Sequence, residues 1–255
     1  MADFFMVLFG LAAGSFLNVV IHRLPRDQSV IHPASACPAC SQAIRWQDNI
    51  PVLSYVLLGG RCRHCRARIS ARYAAVEILN AALWFFLWKH SGPGIEFAFS
   101  ALLFSLLLAI VFTDFETGLI PDELSLGGLA AGLVFAALVP GHFAAADWKG
   151  ALISSVTAAL TGGGLLYLTG LVGQLLFRKE SMGMGDMKLL AMLGAFLGMP
   201  GVFFVFLIAP ILALPAALFG RLVRKEETLP FGPYLAIAGG FIFLWGSEMQ
   251  IFFWG

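Results

Sequence analysis

The chain has 255 residues, of which 59% are hydrophobic and only 12% charged. A soluble globular domain carries about twice that charged fraction, so a soluble fold is excluded. Net charge is +1 and the charges are segregated by loop into no basic domain, so no nucleic-acid partner is expected. What remains is an all-α polytopic membrane protein. Its 24 Phe and 28 Gly suit helices that face lipid and pack closely on one another.

A membrane-spanning helix needs about 20 apolar residues. In chain order the runs are Phe4–Ile21, Tyr73–Trp88, Ile95–Thr113, Leu124–Pro140, Ala151–Phe177, Leu189–Met199, Val202–Leu218 and Tyr234–Phe253. About eight transmembrane helices are therefore expected. Two of the runs are weak. Tyr73–Trp88 carries Glu77, an acid that is costly at any membrane depth, and Leu189–Met199 is short unless Met182–Lys188 extends it. Pairing these two as half-spans is the rival to eight. The first run is a spanning helix and not a cleavable signal peptide. It starts Met1-Ala2-Asp3 with no basic residue, and no small-residue cleavage pattern follows.

Arg23–Arg72 is the only long soluble stretch, and it holds all four cysteines, as Cys37-Pro-Ala-Cys40 and Cys62-Arg-His-Cys65. The chain thus divides into a first transmembrane helix (1–22), a small four-cysteine loop domain (23–72) and a membrane-embedded core of about seven helices (73–255). Two C-x2-C pairs point to zinc, because each tight turn offers two thiolates and two turns complete a tetrahedron. Four cysteines leave no open position for water, so the zinc is structural, and it would supply folding energy to a loop too small for a large core. Disulfides or a redox dithiol are the alternatives, disfavoured if the loop faces the reducing cytosol. His64 is either a fifth ligand or a surface residue beside the metal. The stretch Trp46 to Leu57 is apolar and reads either as a small core or membrane-lying surface, or as a shelf for substrate.

Basic residues set the orientation. With the N-terminus outside, the inside segments hold 14 of the 16 Lys and Arg: Arg23, Arg26, Arg45, Arg61, Arg63, Arg66, Arg68, Arg72, Arg178, Lys179, Lys188, Arg221, Arg224 and Lys225. Only Lys89 and Lys149 fall outside. This bias predicts both termini on the periplasmic side and the cysteine loop in the cytoplasm.

Two acids sit at that same inner face. Asp114 ends the third span in Thr113-Asp-Phe-Glu-Thr-Gly-Leu-Ile-Pro-Asp122, and Asp186 opens the sixth in Gly183-Met-Gly-Asp-Met-Lys188. Two carboxylates sharing a low-dielectric site cannot both ionise easily. One keeps a proton, and the pair can activate a water for peptide hydrolysis. Alternatives stay open at this point. Asp114, Glu116, Asp122 and Glu123 could be solvated helix ends, and Asp186 could answer a helix dipole or Lys188. An ion-coupled transporter would also use isolated acids, although nearer the midplane. Lys188 could meet an acid on a substrate helix or act on Asp186. Glu116, Asp122 and Glu123 could attract a basic segment.

These residues carry a resemblance. Gly10-Leu-Ala-Ala-Gly-Ser-Phe-Leu-Asn-Val19, Arg23-Leu-Pro25, the cysteine pairs around Asp48-Asn-Ile-Pro-Val-Leu-Ser54, Ile69-Ser-Ala-Arg-Tyr73 running to Glu77, the two aspartate segments and Pro230-Phe-Gly-Pro-Tyr234 occur in one order. The chain resembles the bacterial prepilin peptidases, the leader peptidases and N-methyltransferases of type IV pilus and type II secretion systems. The resemblance implies eight helices in the cell inner membrane, Asp114 and Asp186 as the catalytic aspartates, and Cys37, Cys40, Cys62 and Cys65 as zinc ligands. It makes 73–255 an aspartic protease core related to the GxGD type. It implies substrates that are prepilins or pseudopilins with a short basic leader and an apolar helix in the lipid bilayer. The leader is cut after a glycine, and the new N-terminal residue is then methylated from S-adenosylmethionine. Relatives without the cysteine loop are peptidases only. The sequence shows no nucleotide-type fold for the methyl donor, and its ligands stay unknown. Glu77, Asn18, Asp48 and Asn49 are polar candidates, each equally readable as a structural hydrogen bond.

Overall fold

The computed structural model describes residues 1–177, 182–224 and 229–254. Arg178, Lys179 and Lys225, three of the basic residues that orient the chain, lie outside the described residues. The fold is all-helical. In chain order the α-helices are α1 (Ala2–Arg23), α2 (Leu53–Leu57), α3 (Ala71–Ser91), α4 (Ile95–Thr117), α5 (Asp122–Leu138), α6 (Trp148–Phe177), α7 (Met184–Phe219) and α8 (Gly232–Trp254). Among the described residues the only β-type pairing is two isolated bridges, Ala36 with Ala43 and Arg61 with Arg68.

Among the described residues four segments are long and apolar enough to cross a membrane: Ala2–Arg26, Ile95–Thr117, Trp148–Leu176 and Met184–Leu222. The part of α8 from Gly232 to Gly246 is also apolar. The expected runs at Tyr73–Trp88 and Leu124–Pro140 are helical as α3 and α5 but fall outside this set. α5 has only 17 residues, and α3 carries the acid and terminal cations that dilute its hydropathy.

The two expected runs Leu189–Met199 and Val202–Leu218 both lie in α7, which is broken at Gly198 (φ 70°, ψ −177°) just before Pro200. The break is a sharp reversal. A Cβ at Gly162 would lie 2.6 Å from the Leu190 carbonyl oxygen and 2.8 Å from Val202 Cγ2. In a straight helix residues 190 and 202 would be about 18 Å apart. Gly198 adopts a left-handed φ that other residues reach only with strain, and Pro200 lacks the N–H that would continue the ladder.

The chain forms two compact units, Met1–Ala109 and Ile110–Gly255, divided inside α4. In the first, α1 and α3 meet through small residues spaced one turn apart. A Cβ at Gly10 would lie 2.7 Å from Ala81 Cα, and one at Gly14 would lie 2.7 Å from Glu77 Cα. This close approach brings polar side chains onto the facing backbone: Asn80 Nδ2 donates to Gly10 O (2.8 Å) and Asn18 Nδ2 to Tyr73 O (2.9 Å). Ser105 donates to Asn80 Oδ1 at 2.8 Å, and Trp84 donates to Ser105 at 2.9 Å. Small-residue seams with interhelical hydrogen bonds suit helices in lipid, where no hydrophobic force separates tail from side chain.

In the second unit α6 and the first half of α7 pack as closely. A Cβ at Gly194 would lie 2.5 Å from Ala158 O, and Ser155 Oγ donates to Ala195 O at 2.7 Å. Phe135, His142, Phe196 and Phe243 cluster near the reversal, with ring centroids 4.9–6.5 Å apart, and His142 Nε2 meets Phe196 O at 3.2 Å.

Filling the α1–α3 seam should be costly. Gly14→Leu is expected to destabilise the protein by about 1–3 kcal/mol or more, since the added atoms meet backbone. Gly164→Leu, which has nothing within 4 Å of the added Cβ, should leave the melting temperature in detergent nearly unchanged. Equal melting temperatures for the two variants would refute this account.

Candidate active site and metal centre

Asp114 and Asp186 both belong to the second compact unit. Asp114 lies in the last turn of α4 and is buried, with 6% exposure. Its Oδ2 accepts the backbone N–H of Gly232 at 3.0 Å. Gly232 opens α8, where the first N–H groups have no partner within the helix. The approach leaves no room for a side chain, because a Cβ there would lie 2.8 Å from Asp114 Oδ2.

Asp186 is the third residue of α7, and Gly183 is the residue that caps that helix. The Gly183 N–H bonds to the Asp186 carboxylate. This is the reach-back half of a capping box, with the acid also at the favourable end of the helix dipole. The expected reading of Asp186 as a helix-terminal acid thus matches its place at the start of α7. The two carboxylates lie near enough for the charge of Asp114 to act on Asp186.

Ile120 packs against a glycine beside each carboxylate, Gly185 next to Asp186 and Gly232, which bonds Asp114. A Cβ on Gly185 would lie 3.0 Å from Ile120 Cβ, and one on Gly232 would lie 2.9 Å from Ile120 Cδ1. The segment that places Ile120 follows from its residue types. Gly118 (φ 65°) ends α4, and its N–H returns to Asp114 O at 2.9 Å. Thr117 Oγ1 donates to Thr113 O and accepts from Leu119 N, and Pro121 then caps α5. Gly232 and Ile120 were given no role by sequence reasoning. The signal for Gly232 was present in Pro230-Phe-Gly-Pro-Tyr234, a helix-start pattern, but nothing in it named the partner.

Lys188 meets neither Asp186 nor a vacant face. It donates to both Asp122 oxygens at 2.6 and 2.8 Å, tying the start of α5 to α7. Asp122 is thereby partly neutralised.

The four cysteines belong to the first unit. All are free thiols, and their Sγ atoms lie within 4.8 Å of one another. The two knuckles repeat each other. Ser41 N–H bonds Cys37 O and Arg66 N–H bonds Cys62 O, with Ser41 and Arg66 both at positive φ (57° and 59°). Cys37 N–H and Cys62 N–H bond Gln42 O and Ala67 O in the same way. The donor set fits a tetrahedral metal. Without one, the thiols cannot all ionise together. Backbone N–H groups of Cys65 and His64 pull the Cys62 thiol down to about 7. Cys40 feels the Gln42 N–H, but lost hydration and the neighbouring thiols push it up to about 11. His64 is exposed and lies outside the cluster.

The other polar candidates have local partners. Asp48 takes a bidentate bond from Arg63 (2.6–3.0 Å), which holds its carboxyl below the usual range and links the turn Trp46–Asn49 to the second knuckle. Asn49 is exposed in that turn. Glu77 accepts the Val52 N–H at 2.7 Å.

An all-helical chain with membrane-length apolar helices and a four-thiol cluster defines a helical membrane protein with a candidate metal site. Residues 8–91 match the Bacterial Peptidase A24 N-terminal domain, and residues 101–218 match the Type IV leader peptidase family. The chain belongs to the type IV leader peptidase family and is an enzyme. It is 38% identical to the prepilin leader peptidase/N-methyltransferase of Aeromonas salmonicida (strain A449), covering 95% of this chain and 90% of that protein. The protein of the same description from Burkholderia pseudomallei (strain 1026b) is 38% identical over 98% and 88%. That from Pseudomonas aeruginosa is 36% identical over 95% and 90%. No solved structure matches.

The Gly232 contact can be tested directly. Gly232→Val should displace the Asp114 carboxyl by an ångström or more and lower peptidase turnover about 100-fold while the helical circular dichroism spectrum is kept. Wild-type turnover in this variant would show that the contact does not position Asp114.

Proposed function

We propose that this chain is an aspartic endopeptidase of the bacterial inner membrane. It removes the short basic leader of prepilins or pseudopilins and then N-methylates the new N-terminal residue. The observation that supports this reading is the placement of Asp114 and Asp186 in one compact unit, two acids far apart in sequence, each held by an N–H at a helix start, with the charge of Asp114 acting on Asp186. The names of the relatives support the substrate class and the second activity.

In this reading one aspartate is ionised and the other protonated. The ionised carboxylate takes a proton from a water held between them, and the hydroxyl attacks the scissile carbonyl carbon. The protonated aspartate donates to the carbonyl oxygen. Collapse of the tetrahedral intermediate breaks the C–N bond: the carboxyl that took the water's proton delivers it to the leaving amine, and a hydroxyl of the intermediate returns a proton to the other aspartate. The N–H groups of Gly232 and Gly183 keep both carboxyls oriented throughout. Phe115 and Leu119, exposed beside Asp114, offer apolar surface for a substrate helix.

The cysteine cluster serves as a structural zinc site held by Cys37, Cys40, Cys62 and Cys65. When bound, the ion cross-links the two knuckles. The methyl donor, S-adenosylmethionine, supplies an electrophilic methyl group to the freed amine. All eight apolar runs cross the bilayer in this reading, with both termini periplasmic and with the cysteine loop and both aspartates on the cytoplasmic side. The bias of basic residues supports that orientation. The divisions 1–22, 23–72 and 73–255 then correspond to the first span, the zinc loop and the protease core.

Incubation of purified protein with a prepilin, followed by intact-mass analysis, tests the assignment. Asp114→Asn and Asp186→Asn should each reduce cleavage below detection with unchanged melting temperature. Normal processing by either variant would end the aspartate assignment. Cys37→Ser should lower the zinc content measured by mass spectrometry and destabilise the first unit. Full zinc stoichiometry in that variant would overturn four-cysteine ligation.

A further inference from the structure

Peptide hydrolysis leaves one buried acid unused. Glu77 lies in α3 with 8% exposure. Its Oε2 accepts the Val52 N–H at 2.7 Å, and its carboxylate bonds the Ser15 side chain on α1. A carboxylate out of water calls for a positive partner or further donors.

Two further features lie close along the chain and the seam: Asn18, which bonds Tyr73 one turn before Glu77, and Val52, which bonds Glu77 itself. Asn18, one turn along α1 from Gly14, is 4% exposed, and its Nδ2 donates to Tyr73 O and Gly14 O. Its Oδ1 is buried with no donor. Buried acceptors normally have donors, and an orphan calls for an explanation. Val52, which holds Glu77, is a β-branched residue at φ 60° and ψ −47°. Strained backbone of this kind persists where the surroundings over-determine it, and it clusters at ligand sites. The residues after Val52 expose Leu53, Val56 and Leu57.

The α1–α3 seam thus offers a carboxylate with spare acceptor capacity and an amide oxygen with none of its own filled. Both want donors, and one wants positive charge. A primary ammonium meets both needs. We propose that Glu77 and Asn18 form the recognition point for an α-ammonium group and that this point serves N-methylation. The proposal rests on the N-methyltransferase reading given above. Two molecules of that reaction carry an α-ammonium: the amino-acid end of S-adenosylmethionine, and the N-terminus freed by leader removal.

The test uses the full chain in detergent with three readouts: leader cleavage, methylation of a pre-cleaved substrate, and dissociation of radiolabelled S-adenosylmethionine by equilibrium dialysis. Glu77→Gln should keep cleavage near the wild-type rate and lower methylation at least about tenfold, the loss expected for a hydrogen bond to a charged group. Weakened S-adenosylmethionine binding would identify the donor's ammonium. Unchanged binding with a raised KM for the pre-cleaved substrate would identify the freed N-terminus. Either result supports the proposal. Methylation at the wild-type level in Glu77→Gln would overturn it, as would an equal loss of cleavage and methylation in a variant with wild-type melting temperature. Should Glu77→Gln not fold, Asn18→Ser reports on the same point, with the same loss expected and unchanged methylation overturning the idea. A wild-type protein that cleaves but never methylates would overturn both this proposal and the N-methyltransferase reading. Methylating variants beside a methylating wild type would overturn the proposal alone.

Discussion

A carboxylate buried among apolar helices must find donors, and this protein takes them from backbone N–H groups that no helix or strand ladder uses. Gly232 at the start of α8 supplies Asp114, and Gly183 at the cap of α7 supplies Asp186. Val52, which precedes α2, supplies Glu77. Helix starts leave these N–H groups unpaired by geometry, so acid and helix end solve each other's problem. The arrangement also fixes each carboxyl in direction, which matters more for chemistry than the energy of the bond.

Such contacts require backbone to come close to side chain, and small residues make that possible. Gly232 and Gly185 admit Asp114 and Ile120, while Gly10 and Gly14 let α1 reach α3. In lipid, where apolar side chains gain little from leaving the solvent, close packing and hydrogen bonding across helices carry the cohesion. The glycine content noticed at the level of composition is thus spent at identifiable seams. The reversal at Gly198 and Pro200 is a second use, since it folds one apolar stretch back on itself.

The cysteine loop answers a different constraint. It has little buried apolar material, with Trp46, Leu53, Val56 and Leu57 exposed. Its order comes from two repeated knuckles, the Asp48–Arg63 pair and the Glu77–Val52 bond that ties it to α3. A metal fits this economy, because four thiols within 4.8 Å repel as thiolates unless a cation holds them.

The amino-acid sequence by itself determined the membrane class, the helical runs, the thiol cluster and the two acids worth attention. Those features are local: hydropathy over about 20 residues, C-x2-C spacing, and acids placed against apolar runs. It left Lys188 with several partners and Gly232 with none, because which side chains meet across helices depends on rotation and tilt, not on spacing along one helix. Only the tertiary structure decided that Lys188 pairs with Asp122, that Ile120 packs against both Gly185 and Gly232, and that Gly232 donates to Asp114 across 118 residues. The physical reason is that hydrogen bonds reach about 3 Å, and no one-dimensional pattern specifies a three-dimensional approach that close.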